Sequence, residues 1–241
     1  MRASALPKIV VFALLFSGFV SAQNQQSVAR FVRYEVKPEY EPKFQKALSS
    51  YVLESVSKDS NIMAEAHYEQ DRPHVFWLIE RWNGKKEWEK FGNNPRSKAL
   101  ALLVEKALAM PAEIIAVKDL HPISKREWRR TAQANESQLT IMLFVRSKPG
   151  TQQKFRDVYS IAMPQFRSEP GVVTYQLSEF ENDDAQFVTY EKFRNEEAFQ
   201  YHLNFPPIQP VIDYLKADIK NPPFQDSVHR LIEFAPLIRE N

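Results

Sequence analysis

One pattern of apolar and polar positions occurs twice in this chain. Arg30–Val36 and Leu139–Val145 are rich in β-branched and aromatic residues and predict strands. Lys-Pro follows each, and proline cannot continue a strand ladder. Phe44, Leu48, Tyr51 and Val52 then recur at helical spacing, as do Phe155, Val158, Tyr159, Ala162 and Phe166, with Pro164 predicting a kink. "SEPGVVTYQLSEF" is a Pro-Gly turn opening a strand. "RPHVFWLIERW" and "DAQFVTYEKF" are the next strands, entered by hairpins at "EQDR" and "ENDD". A second helical region follows in each copy, and "EIIAVKDLH" and "VHRLIEFA" close the copies as strands. The order is βαββαβ, the ferredoxin-like arrangement.

The two copies are in register at an offset of 111 residues, as between Phe76 and Phe187. Lys37-Pro38-x4-Lys43-Phe44 matches Lys148-Pro149-x4-Lys154-Phe155. Ser57 matches Ser168, Glu80 matches Glu191, Asn93 matches Asn204, and Pro95 matches Pro206. Later the offset is 114, so three residues are inserted before the last strand of the second copy. The expected domains are 28–122 and 138–236, joined by a polar linker over 123–137. Helices on one face of each sheet leave the other face in need of cover. The expected fold is therefore α+β: two tandem ferredoxin-like βαββαβ domains packed sheet to sheet as an intrachain dimeric α+β barrel. The matched fragments differ in one chemically important place, where the first has Phe91 and the second His202.

Composition narrows the function. Arg2 and Lys8 flank the start of a nearly apolar run, Ile9–Val20, and Val20-Ser21-Ala22 supplies small residues. Such a run is too short to span a bilayer, which takes roughly twenty residues. The segment predicts a signal peptide over 1–22, cut after Ala22, and a secreted or periplasmic protein. Without Arg2 and Lys8, 30 of the 32 basic residues face 30 acidic ones, which argues against a nucleic-acid partner. No cysteine is present, so disulfides, thiol chemistry and Cys-ligated metals are excluded. Five glycines in the whole chain leave no fingerprint for a flavin or a nicotinamide cofactor. Asn135-Glu136-Ser137 is a glycosylation sequon in the linker.

Lys148-Pro149-Gly150-x4-Phe155, Glu169-Pro170-Gly171, and Phe187-x3-Glu191-x-Phe193 followed by a polar turn and His202 resemble the antibiotic biosynthesis monooxygenase family. The resemblance covers nearly all of the second domain. It covers the first more loosely, since "KDSN" stands where the second has "SEPG", and Phe91 stands for His202. It implies a dimeric α+β barrel built here from one chain, with inequivalent halves. It also implies a choice among cofactor-free monooxygenases, haem degraders and members without activity. Haem-degrading relatives carry their iron ligand on the second helix, at the place of Val211 here and of Leu100 in the first copy, so haem is disfavoured.

The residues decide further. Cofactor-free oxygenation needs a base that turns a phenol or quinol into an anion, and an imidazole serves near neutrality. His202 is the candidate base; its alternative is to pack or cap a helix. Glu191 is the second candidate catalytic group, to orient the imidazole or accept a substrate hydroxyl. Because Glu80 shares its position, a structural role for both glutamates is the economical alternative. Tyr175, Tyr190, Phe193 and Asn204 are the candidate substrate contacts. Trp77, Trp82 and Trp88, opposed by Phe187, Phe193 and Phe199, read mainly as core. His67, His74, His121 and His229 show no metal-ligand spacing, so no metal and no cofactor are expected. Two readings follow. One is an exported, cofactor-independent monooxygenase for a small phenolic or quinol-type substrate. The other is a non-catalytic barrel binding a small apolar ligand. Neither has a membrane partner after signal cleavage, and both are compatible with a homo-oligomer of the pseudo-dimeric chain.

Overall fold

A computed structural model describes residues 27–130, 132–133, 136–220, 228–237 and 239–240. The expected signal peptide and Asn135 of the sequon lie outside the described residues. The first repeat runs β1 (Val28–Glu35), α1 (Glu41–Val56), β2 (Asn61–Glu69), β3 (Val75–Trp82), α2 (Lys85–Gly92), α3 (Pro95–Ala107) and β4 (Glu113–Leu120). The short α4 (Lys125–Trp128) and β5 (Ala132–Gln133) lie between the repeats. The second runs β6 (Leu139–Arg146), α5 (Gln152–Phe166), β7 (Val172–Phe180), β8 (Asp183–Phe193), α6 (Glu196–Leu203), α7 (Gln209–Ala217) and β9 (Val228–Ala235), and β10 (Arg239–Glu240) pairs with β5.

The second helical region of each repeat is two helices, not one. Asn94 caps α3 by accepting from the N–H groups of Arg96 and Ser97, and Pro95 occupies the first turn. Proline is favoured there and cannot continue the preceding helix. Pro206 and Pro207 interrupt the second repeat in the same way, as a single 3₁₀ turn before α7. Among the described residues no helix is long and apolar enough to cross a membrane.

Within the repeats the strand orders are β4-β1-β3-β2 and β9-β6-β8-β7. The inner faces of the two sheets cover each other, and their edges also pair. β2 runs antiparallel to β9 and β4 to β7, so eight strands close into one barrel with no free edge. Val36 bridges to Leu108 and Ser147 to Ile219, the same offset as before. The extra residues of the second repeat therefore fall between Ile219 and β9.

Every central strand is buried on both faces, which is why Val75–Trp82 is buried throughout. Alternation sorts the side chains. On β8, Phe187 and Phe193 join the helix-side core of the second repeat, while Val188 and Tyr190 join the barrel interior. On β3, Phe76, Leu78 and Trp82 go to the helix side, and Val75, Trp77 and Ile79 go into the barrel.

The segment expected as a solvated linker also contributes to the core. Trp128 on α4 is buried in the barrel interior, 5.8 Å from the Tyr190 ring. The Arg81 guanidinium lies 4.1 Å over it and holds Asp119 through two hydrogen bonds, 2.7 and 2.9 Å long. A capping box between Ser124 and Glu127 fixes this short helix.

Candidate functional site

The site is built in the layer between the second sheet and its helices. Asn195 caps α6 by accepting from Ala198 N–H at 2.8 Å, so the helix starts directly after β8 and turns His202 inward. The Ser-Glu-Pro-Gly turn before β7 is pressed against the same helix. A Cβ on Gly171 would stand 2.3 Å from Ala198 Cβ, so only glycine permits this approach. The close approach brings Glu169 beside His202.

Glu169 and His202 form a buried pair, with Oε1 to Nδ1 at 2.8 Å. The imidazole is 2% exposed and packs against the rings of Phe166, Phe193 and Tyr175, at 4.7, 5.3 and 5.6 Å between centroids. Glu169 Oε2 has no hydrogen-bond partner among the described residues. With Nδ1–H donating to the carboxylate, Nε2 is the basic nitrogen, and an imidazolium formed there is stabilised by Glu169.

His202, Glu191, Tyr159 and Tyr175 line one cavity of about 30 Å³, walled by Ile141, Leu143, Val211 and Leu215. That is room for one molecule the size of water or dioxygen. Burial raises the Glu191 pKa above the ordinary carboxylate range, against the opposing influence of His202, Thr189 and Tyr175. Burial likewise raises Tyr159 and Tyr175, with the Glu191 charge adding to the effect, so both phenols keep their protons.

The first repeat shows what such a glutamate looks like in a structural role. Glu80 accepts from Arg30 at 2.6 Å, Trp82 at 2.8 Å, Tyr51 at 3.1 Å and Trp88 at 3.3 Å. At the four matched positions the second repeat has Ile141, Phe193, Ala162 and Phe199, and none of these can donate a side-chain hydrogen bond. Glu191 keeps the position of Glu80 without its partners. The four side-chain donors that hold Glu80 thus have no counterpart at the matched positions around Glu191. Beside the stripped Glu191 the second repeat adds Tyr159, Tyr175, Glu169 and His202, where the first has Leu48, Ala64, Lys58 and Phe91.

Of the residues singled out from sequence, the structure brings His202, Glu191, Tyr175 and Phe193 together. It does not bring Tyr190 and Asn204 to them. Tyr190 is one residue from Glu191 on β8, so it points to the opposite face of the sheet, into the barrel, where its hydroxyl donates to Glu65. Asn204 ends α6, is exposed, and donates to the Gln200 carbonyl at 2.8 Å. Glu169 and Tyr159 were not among the sequence candidates. The signal for both was present in the offset, as Lys58→Glu169 and Leu48→Tyr159. Val211 and Leu100 are both buried core residues.

A family model for antibiotic biosynthesis monooxygenase matches residues 27–101 and again 138–212. A candidate monooxygenase from Lactobacillus acidophilus shares the fold over 86% of this chain and 93% of its own, with a TM-score of 0.72 and 13% identity. One from Fusobacterium nucleatum does so over 86% of this chain and 92% of its own, with a TM-score of 0.74 and 13% identity. An anthrone oxidase-like protein aligns over 92% of this chain and 99% of its own, with a TM-score of 0.57 and 12% identity. An uncharacterized protein of Synechocystis is 26% identical over 89 residues; the match spans 37% of this chain and 60% of that protein.

Proposed function

The chain belongs to the antibiotic biosynthesis monooxygenase family, and from that premise we propose that its second repeat is a cofactor-independent monooxygenase site for a small phenolic or quinol-type substrate. The observation that carries this reading is the buried Glu169–His202 pair, whose imidazole lines the same cavity as Glu191. Both members of the pair are confined to the repeat whose glutamate has lost its structural partners.

In this mechanism His202 Nε2 removes the substrate's acidic proton, and Glu169 stabilises the imidazolium. The substrate anion gives one electron to dioxygen. The resulting radical pair recombines into a carbon–oxygen bond, leaving a peroxide. The imidazolium returns its proton to the distal oxygen as the O–O bond breaks. One oxygen atom stays in the product as a carbonyl, and the other leaves as water with two substrate hydrogens. The Tyr159 and Tyr175 hydroxyls are donors for the developing oxygen anion. The apolar wall keeps water from the intermediate. A substrate ring does not fit into about 30 Å³, so this reading requires α6 and the turn at Pro206–Ile208 to move outward on binding.

The small cavity is also the observation that favours the second reading, a non-catalytic barrel. Oxygen uptake by the purified chain over a panel of quinols, phenols and anthrones separates the two. Uptake that saturates with one class and is lost in His202→Ala supports the monooxygenase. No uptake with any of them, while apolar ligands bind, supports the barrel.

The basic start, the apolar run Ile9–Val20 and the small residues at Ser21-Ala22 support export as part of this proposal. Sequencing the N-terminus of the protein recovered outside the cytoplasm should give Gln23 first. An intact Met1 on that protein would count against it.

A further inference from the structure

A second polar cluster lies on the other face of the same sheet, inside the barrel. Glu65 and His67 are two apart on β2 and both point inward, and His67 stands opposite Glu233 in the β2–β9 register. Lys192 of β8 reaches between the two carboxylates, 2.7 Å from Glu65 Oε1 and 2.9 Å from Glu233 Oε2. Tyr190 donates to the other oxygen of Glu65.

His67 does not fit this network as a member. Its side chain is 0% exposed, yet neither Nδ1 nor Nε2 has a hydrogen-bond partner among the described residues. Leaving such buried groups unpaired is costly. Its Nε2 lies 3.6 Å from Glu65 Oε2, too far for a hydrogen bond. One ligand atom from each of Glu65, His67 and Glu233 falls within 4.8 Å of the others. Ligands about 2.1 Å from a common tetrahedral zinc centre stand about 3.4 Å apart, so small side-chain rotations bring these atoms into range.

We propose that Glu65, His67 and Glu233 form a site for one divalent first-row transition-metal ion of the zinc type, which clasps the two repeats across the β2–β9 seam. The donor set, one imidazole nitrogen and two carboxylates, suits that class. The two carboxyl groups share a single ammonium, that of Lys192. The ion takes over the place of the Lys192 ammonium between the carboxylates, and Lys192 is its competitor. The inference revises the expectation of no metal site. Spacing along the sequence could not show it, because the third ligand comes from the other repeat. It does not depend on the monooxygenase reading, since Glu191 and Lys192 face opposite sides of β8.

The test uses the full chain, stripped with EDTA and titrated with Zn²⁺ in a calorimeter and with Co²⁺ in a spectrophotometer. The expected result is saturable binding of one equivalent, visible d–d bands with Co²⁺, and a higher Tm. His67→Gln should weaken binding by about 100-fold or more. Lys192→Met should melt below the wild type in EDTA and recover with Zn²⁺, because the ion replaces the lost ammonium. The proposal is overturned if the wild type shows no saturable binding, if His67→Gln binds as the wild type does, or if Zn²⁺ leaves the Tm of Lys192→Met unchanged.

Discussion

His202 Nδ1 lies 2.8 Å from Glu169 Oε1, and the first repeat replaces this pair with Phe91 and Lys58. Both members of the pair thus differ together between the two halves. His202→Ala should lower turnover by about a hundredfold or more, the usual contribution of an acid–base group. It should also lower stability, because Glu169 is then left buried without its partner, at about 1–3 kcal/mol. Steady-state oxygen uptake and a thermal melt on the same sample check both. Full activity in a folded variant would remove His202 from the mechanism.

Glu169→Gln keeps the size and the hydrogen-bonding capacity of the side chain but not its charge. It should fold, bind substrate with nearly unchanged KM, and turn over about tenfold to a hundredfold more slowly. A rise in KM with kcat unchanged would mean that Glu169 shapes the pocket and does not support the base.

The raised pKa of Glu191 has a sign that can be read in stability. Burial lifts the folded-state value above the ordinary 4.5. The folded protein therefore holds this proton more tightly than the unfolded chain does. The favourable difference is complete below 4.5 and is lost as the pH rises through the folded-state value. Relative to Glu191→Gln, the wild type should thus lose Tm as the pH is raised from 4 towards neutrality. A difference between the two proteins that does not change with pH would mean that burial does not perturb this carboxyl.

In the first repeat the matched glutamate is held by its cation. Arg30→Met leaves Glu80 buried without its cation and should cost about 3–5 kcal/mol, with no effect on oxygen uptake beyond that of unfolding. Phe91→Ala empties a buried ring site between Tyr51 and Trp82 and should cost about 3–5 kcal/mol. Chemical denaturation measures both. A stable Arg30→Met protein with lost activity would place the working site in the wrong half.

Residues 27–122 or 138–237 expressed alone should not yield a folded monomer. Each would expose the unpaired edges of β2 and β4, or of β7 and β9, together with the barrel face of its sheet. Aggregation or self-dimerisation in size-exclusion chromatography is expected. A soluble, folded monomer of either half would show that closure is dispensable.

Much of this was legible in the sequence because the offset of 111 residues holds strand for strand. Apolar period gave the βαββαβ order, and the Phe91/His202 difference pointed to the half that holds the Glu169–His202 pair. Period two also contained an unread detail: Tyr190 and Glu191, being neighbours on a strand, cannot serve one site. Glu169 was equally visible opposite Lys58, but a turn residue drew no attention until Gly171 brought its turn against Ala198. Trp128 could not be read, since a buried tryptophan in a charged segment shows no periodicity. The Glu65–His67–Glu233 cluster was hidden for a different reason, because strand pairing across the seam assembles it.

The continuous chain between β4 and β6 has a consequence for how the two halves can differ. In a barrel made of two identical subunits, the two-fold axis would enter every substitution twice. A gain of His202 would also fill the Phe91 position, and a loss of Arg30 would strip both glutamates. Joining the subunits end to end removes that constraint. One half can keep a fully ion-paired glutamate that holds the sheet, while the other gives up the same pairing and is free to do chemistry.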